Sequence, residues 1–494
     1  MNGQNIPRGA RCKAFYGLLA PSIWENLAVI RTRLQWILIS AAIVLLATAL
    51  RLCGAMNDLW LDEVWSLKLA CAVASPLDIF TKIHHDNSHY LNSLWLYFLG
   101  PHRNPIWYRM PSILAGAGMV VVAGLIGRRR NPAAGLFAML LTALSYPLVL
   151  YGSEARGYSF MVFFSFLAFY ALDCYLEKPD WRYAALFSVS AILGLLSHLT
   201  FINVLIASIC WCWWRMRSVR DLIQCCAAPC AVFAVLYVVD VRHLVEGGGG
   251  LSQSLGYTYA SAMAWALGAP TVYAFPLTTI IVCAAFYLTR RDSARAFVFF
   301  VAVIVVVPLL LTVVRNSPTL FVRYFLPSMV FVLILAAWVL AALFYKGGVS
   351  RIAAIVLLIA FAALNGFSTC QLLKFGRGHY QDAIRFIASH TRGKTISIDS
   401  DNNFQVPLML DYYADALGGK PMEYHRDAHE PWGPEWIICQ KDSLEDRTPP
   451  HGQFIESAGV RYELVEAVPT APLSGLQWFI WHALPQTPGP ASGK

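Results

Sequence analysis

Charge is what this chain lacks. Only 14% of its 494 residues are Asp, Glu, Lys or Arg, against about 25% in an ordinary soluble domain. So few charges cannot cover a water-facing surface, which excludes a cytosolic enzyme and a disordered protein. The chain also lacks a Cys-x-x-Cys pair. Its 12 cysteines fall mostly inside apolar runs (Cys210, Cys212, Cys225, Cys226, Cys230, Cys283). That excludes a small disulfide scaffold and a cysteine-bound zinc site, and predicts small buried hydrophobes. No internal repeat is visible. No small-residue cleavage site follows the first apolar run, so that run reads as an uncleaved anchor.

What is present is hydrocarbon. Hydrophobic residues make up 57% of the chain and aromatic residues 13%, and the mean hydropathy is +0.52. Segments of about 17–25 apolar residues cross a bilayer. Eleven are expected, near 34–52, 110–127, 132–150, 157–176, 183–197, 199–214, 221–240, 271–289, 296–314, 324–345 and 352–372. The net charge of +9 sits in short clusters between them, such as Arg128-Arg129-Arg130, Arg215/Arg217/Arg220 and Arg290/Arg291/Arg295. This is the pattern of cytoplasmic span ends and offers no continuous basic face to nucleic acid. With the N-terminus inside, the inner segments hold more than twice the Lys and Arg of the outer connections.

The expected organisation has four parts. Residues 1–33 form a cytoplasmic segment, and 34–372 a helical membrane domain with a large first outer loop at 53–109. Residues 373–484 form a small exoplasmic α/β domain, and 485–494 a disordered tail. In the soluble part, Tyr380–His390 has helical periodicity, while Thr395–Ile398, Trp436–Cys439 and Gln477–Trp481 read as strands. Leu91–Gly100 is too short to span and reads as a helix lying partly in the membrane.

The outer connections carry the chemistry. Loops as long as the first are usually functional. It opens with Leu59-Trp60-Leu61-Asp62-Glu63-Val64-Trp65, an acidic pair on an interfacial amphipathic helix; the plain alternative is a solvated acidic patch. Lys82-Ile83-His84-His85-Asp86-Asn87-Ser88-His89-Tyr90 follows. Its histidines and aspartate suit a metal, or a polar cluster that binds a sugar and a phosphate. The next outer turn, Tyr151-Gly152-Ser153-Glu154-Ala155-Arg156-Gly157-Tyr158, places a carboxylate and a guanidinium at the membrane border. Such groups are costly there unless paired or used; Glu154 is expected to hold Arg156. Further outer-face polar residues are His198, Arg315, Arg323 and Tyr324. Singly they snorkel to head groups; converging, the arginines bind a phosphate.

The order of these motifs resembles a known family. An acidic pair follows the first span, a His/Asp/Tyr cluster precedes an Arg-Met-Pro-Ser span start (Arg109–Ser112), and Glu154-Ala155-Arg156-Gly157-Tyr158 comes next. Ser197-His198-Leu199-Thr200 and Val322-Arg323-Tyr324-Phe325-Leu326-Pro327 complete the set. Over about residues 34–345 this resembles the GT-C superfamily of integral-membrane glycosyltransferases. Within it the match is to glycosyltransferase family 39, which includes protein mannosyltransferases and lipid A aminoarabinose transferases. The family often has Pro-Pro-Leu-Tyr where this chain has Ser88-His89-Tyr90-Leu91, and Arg-Pro-Tyr where it has Arg156-Gly157-Tyr158.

The resemblance implies transfer of a sugar, with inversion, from a polyprenyl-phosphate donor to a glycolipid, polysaccharide or protein acceptor on the exoplasmic or periplasmic side of the cell (inner) membrane. Lipopolysaccharide or protein glycosylation is the process implied. Asp62 stands at the base position, with Glu63 and Glu154 as further carboxylates. Arg156, Arg323, Lys82, His198 and Tyr324 fall to the leaving phosphate. His85, Asp86, His89, Tyr90 and Tyr158 fall to the sugar or acceptor. No metal or other cofactor is required, because basic side chains can neutralise the phosphate. The rival readings are a multi-span transporter or lipid flippase, and a surface-polysaccharide polymerase or ligase.

Overall fold

The structure is a computed structural model; it describes residues 34–245, 254–289, 294–315, 320–425, 433–442, 448–457 and 459–485. The N-terminal segment expected to be cytoplasmic (1–33), the tail after Pro485 and the side chains of Arg290, Arg291, Arg295 and Arg315 therefore lie outside the described residues.

The helices in chain order are α1 (Leu34–Gly54), α2 (Leu61–Cys71), α3 (Asp78–Thr81), α4 (Tyr90–Leu99), α5 (Pro105–Arg128), α6 (Pro132–Leu144) and α7 (Tyr146–Tyr151). Then come α8 (Tyr158–Glu177), α9 (Trp181–Ser197), α10 (Ile202–Met216), α11 (Val219–Val239), α12 (Leu255–Leu267) and α13 (Ala274–Thr289). The run ends with α14 (Ala294–Val301), α15 (Val307–Arg315), α16 (Leu326–Lys346) and α17 (Gly348–Phe375).

Polar residues start several of them. Asn104 accepts from the Ile106 amide at 3.0 Å with Pro105 behind it, and Asn131 accepts from Ala134 at 2.8 Å with Pro132 behind it. Each supplies an acceptor for orphan amides where the proline has removed one donor already.

Eight helical runs among the described residues are long and apolar enough to cross a membrane, or nine if one bent pair counts as a span. Every one of the eleven expected segments is helical, but three depart from a straight span. The 132–150 segment breaks at Ser145 into α6 and α7, and Trp181–Ser197 has only 17 residues. The third, α13, joins α12 at a 98° bend. Helix α12 went unseen because its tyrosine, threonine and serine residues dilute the apolar run. The short helix expected near 91–100 is α4.

The cysteines differ from expectation. Five of the eleven described ones are buried, while Cys53, Cys71, Cys210, Cys230, Cys283 and Cys370 are exposed on the protein surface. Four of these six lie on helices in the bilayer-crossing set, where the neighbour is hydrocarbon, so a thiol fits without internal burial.

The C-terminal part contains α18 (Tyr380–His390), β1 (Ile396–Ser400), α19 (Gln405–Tyr412), β2 (Met422–His425), β3 (Trp436–Asp442), β4 (Phe454–Ser457), β5 (Val460–Val468) and β6 (Leu476–Ala483). They form one mixed sheet in the order β2-β1-β3-β6-β5-β4, parallel at β1 and antiparallel from β3 onward. Alternation along β6 decides its two faces. Trp478 and Ile480 pack with Tyr380, Ile384 and Trp436, while Phe479 and Trp481 pack with Ile437 and Tyr462.

The first of those clusters also contains Leu59, Trp60, Val64 and Leu67 of the long connection between α1 and α5. Sheet domain and membrane part thus share one hydrophobic core. Docking is completed by the Tyr413 hydroxyl donating to the Leu59 carbonyl (2.9 Å) and the Gln381 amide donating to Asp58 (2.8 Å).

Candidate active site

A cavity of about 600 Å³ opens where these two parts meet. The first turn of α2 forms one wall and the 85–90 segment a second. The remaining walls are the helix starts and ends around Arg156, His198, Asp240 and Arg323, with Gln405 and Leu473–Leu476 from the sheet domain. Ten of the thirteen residues expected at the site line it: Asp62, His85, Asp86, His89, Tyr90, Arg156, Tyr158, His198, Arg323 and Tyr324.

Asp62 is the centre of this set. The Arg156 guanidinium pairs with its Oδ2, and Arg323 Nη2 lies 3.6 Å from the same oxygen. Asn87 fixes both partners. Its Oδ1 accepts from Arg156 Nη2 at 2.6 Å, and its Nδ2 donates to the Asp62 carbonyl at 2.8 Å and to Ser66 Oγ at 3.0 Å. Arg156 also lies 5.0 Å over the Tyr158 ring, and Arg323 4.2 Å over Phe321. Two guanidiniums converging on one carboxylate make a ready place for an anion with several oxygens.

The glycine at Arg156-Gly157-Tyr158 has a steric cause. A Cβ on Gly157 would fall 1.9 Å from the Ser197 carbonyl oxygen, so no side chain fits between this turn and the end of α9.

The histidines divide. His198 accepts the Thr200 amide at Nδ1 (3.1 Å), stacks on His89 at 4.7 Å and lies tilted against Tyr158, also at 4.7 Å. His89 is 3% exposed and has no hydrogen-bond partner for either ring nitrogen among the described residues. Burial first, then the facing charges of Arg156, His198 and Arg323, push its imidazole well below the usual range. His85 stands 4.2 Å from Trp65 and 3.1 Å from Asp86. His84 lies 2.6 Å from Asp240, which also accepts the Tyr90 hydroxyl at 2.5 Å. These histidines share no centre, and among the described residues no group of three His, Cys, Asp or Glu side chains is placed to hold a metal ion.

Three expected residues lie off the cavity. Lys82 is mostly exposed and pairs with Asp78 at 3.1 Å, one helical turn away, where it meets water. Glu63 is fully buried in a two-toothed pair with Arg109 (2.8 and 2.5 Å), and also accepts the Ala155 amide at 2.6 Å and the Trp60 amide at 3.1 Å. Burial pushes its carboxyl up, but the Arg109 charge and these hydrogen bonds outweigh that and hold it below the usual range. Glu154 is fully buried and pairs with Arg377, not with Arg156. The tight turn sends residues two apart to opposite sides, the carboxylate toward the end of α17 and the guanidinium toward α2.

Sequence reasoning missed Asn87, Asp240, Arg109 and Arg377 as site or supporting residues. Asn87 and Arg109 stood inside quoted motifs. Nothing local marks Asp240 and Arg377, whose partners lie 150 or more positions away.

No family model matches the chain, and no curated protein matches it. Solved structures similar to it include ArnT from Cupriavidus metallidurans in the apo state, with 11% identity, a TM-score of 0.48, and 83% of this chain and 93% of that chain covered. The same protein bound to undecaprenyl phosphate gives 11% identity and a TM-score of 0.47 over 92% of this chain and 99% of that one. Arabinosyltransferase EmbB from Mycobacterium smegmatis gives 14% identity and a TM-score of 0.39, covering 84% of this chain and 38% of that chain.

Proposed function

We propose that this protein is a GT-C-type membrane glycosyltransferase that moves a sugar from a polyprenyl-phosphate donor to an acceptor hydroxyl on the outer face of the membrane. One observation carries the reading: a single carboxylate, Asp62, held by two cavity arginines where membrane helices meet a sheet domain. A transporter has no use for that constellation at one end of its spans.

In this reading the donor's phosphate takes over the Arg156 and Arg323 contacts that Asp62 makes. Asp62, released, accepts the proton of the attacking hydroxyl. The bond from the sugar's anomeric carbon to phosphate oxygen breaks, and the bond to the acceptor oxygen forms on the opposite face. The negative charge gained by the leaving phosphate is met by the two guanidiniums, so the chemistry needs no divalent metal. Hexose and pentose donors, and glycolipid, polysaccharide and protein acceptors, fit this scheme equally. The cytoplasmic N-terminus and exoplasmic sheet domain follow from the Lys and Arg distribution.

The test is purified protein with a polyprenyl-phosphate sugar and, as acceptor, the surface glycolipids and glycoproteins extracted from cells without the gene, assayed for free polyprenyl phosphate with and without EDTA, beside mass spectrometry of these glycoconjugates from cells with and without the gene. Release of polyprenyl phosphate in both assays and one missing glycoconjugate are expected. Movement of an intact donor with no glycosidic bond made would overturn the reading. Loss in EDTA restored by Mn²⁺ would overturn its metal-free part.

A further inference from the structure

His89 has a second property that the reaction above leaves unused. A histidine packed in a protein core ordinarily has a ring nitrogen hydrogen-bonded; among the described residues this one has a partner for neither, and it lines the cavity and is almost fully buried. It also has nowhere to turn. Its ring is stacked on His198 and set edge-on to Tyr158 at 5.4 Å, and a Cβ on Gly157 would lie 2.9 Å from its own Cβ.

The surrounding charges come from five directions. Arg156 faces it from the turn before α8, Tyr158 from α8 itself, His198 from the end of α9 and Arg323 from the turn before α16. Three carboxylates share the cavity: Asp62 on α2 is occupied by both arginines, Asp86 lies beside His85, and Asp240 at the end of α11 takes Tyr90 and His84. The charges that act on the imidazole are thus those of Arg156, His198 and Arg323, and an anion bound between the arginines reverses that sign.

We propose that His89 is a proton-linked anion contact: binding of a lipid phosphate is accompanied by uptake of one proton from bulk water onto its imidazole, which then donates a hydrogen bond to a phosphate oxygen. This rests on the glycosyltransferase reading and adds to it a prediction about pH. Neutral when the site is empty and charged when it is filled, His89 makes binding tighter at lower pH. The depressed affinity of the free imidazole for protons supports the direction.

The experiment is calorimetric titration of the full-length protein in nanodiscs with polyprenyl phosphate, in two buffers of different ionisation enthalpy, from pH 6 to pH 9. Protons of the ligand are common to all variants and cancel in the comparison. The unmutated protein is expected to take up more protons than H89Q, and its Kd to rise up to about tenfold more per pH unit. Polyprenyl sulfate, whose headgroup does not titrate in this range, repeats the count on the unmutated protein, so a poorly folded H89Q does not spoil the test. Proton uptake by the unmutated protein with the sulfate, and a smaller count for H89Q with the phosphate, support the proposal. Equal proton counts in both proteins, or none with the sulfate, overturn it while leaving the transferase reading intact. Failure of the unmutated protein to bind polyprenyl phosphate at all overturns that reading instead.

Discussion

Asp62 and Glu63 are neighbours in sequence and opposites in setting. They begin the same helix, about 100° apart around its axis, and both are buried. Glu63 points into the packed back of the long connection between α1 and α5. Both its oxygens are taken by Arg109 and two amides, and Arg109 in turn donates to the carbonyls of Ala55, Asn57 and Asp58. That arrangement ties the end of α1 to the start of α2 and has no spare valence. Asp62 points into a cavity, and its partners are two arginines that an incoming anion can also use. The first carboxylate holds the wall; the second stands in the room. Burial alone does not separate structural from reactive charge. What separates them is whether the partner is committed.

The largest effect that tests this contrast is on activity. Asp62→Asn should lower kcat by about 10²–10⁴-fold, the usual worth of a positioned acid or base, with an unchanged amount of folded protein in the membrane. Unaltered turnover would remove Asp62 as base.

Glu63→Gln should do the reverse. Removing one partner of a buried pair strands the other charge, at about 3–5 kcal/mol, so thermal stability and yield fall while the surviving folded fraction keeps its donor KM. The pH dependence has a definite sign. Because the folded-state pKa of Glu63 is depressed, its contribution is fully present above the unfolded value of about 4.3 and is lost as pH falls through the folded value. Melting scans below pH 5 should show this acid sensitivity in the unmutated protein and not in Glu63→Gln. If Glu63→Gln melted normally and only turnover failed, the two roles would be exchanged.

Arg323→Lys probes the uncommitted side more gently. It keeps the charge and loses the fork, so donor KM should rise about tenfold, worth about 1.4 kcal/mol, with little change in melting temperature. An equal loss of stability would place Arg323 among the committed residues.

Long-range pairing is what the sequence could not disclose. Apolar runs announced the membrane helices because length and hydropathy are local properties, and Tyr380–His390 and the strands near 396, 436 and 477 followed from periodicity. Strands β2, β4 and β5 were missed. Two of them are only four residues long, and β5 carries two glutamates, an arginine and a register shift at Leu464/Glu466. At the site, residue type and order brought Asp62, Arg156 and Arg323 forward. The choice between Arg156 and Arg377 as partner for Glu154 was invisible, since it depends on where α17 ends in space. Lys82 was misread for a similar reason: its segment reaches the cavity, but its own side chain turns to Asp78.

The smallest predicted effect concerns Asp58, which sits between the two settings. Its carbonyl receives Arg109 from the committed side, while its carboxylate accepts the Gln381 amide at the start of α18. Burial, with Asp382 adding to it, raises its pKa despite that hydrogen bond and the opposing charges of His379 and Arg109. The sign is opposite to that of Glu63: ionisation is disfavoured in the fold, so the relative stabilisation exists below the unfolded pKa and is lost as pH rises through the folded one. Asn in its place keeps an oxygen for Gln381 and removes the charge. Asp58→Asn should therefore leave the melting temperature at pH 7 unchanged or slightly raised, within about 0.5 kcal/mol, and turnover unchanged. A fall of several degrees at pH 7 that vanishes near pH 4 would mean that the ionised carboxylate clamps the sheet domain. Asp58 would then join Glu63 among the charges whose partners are committed.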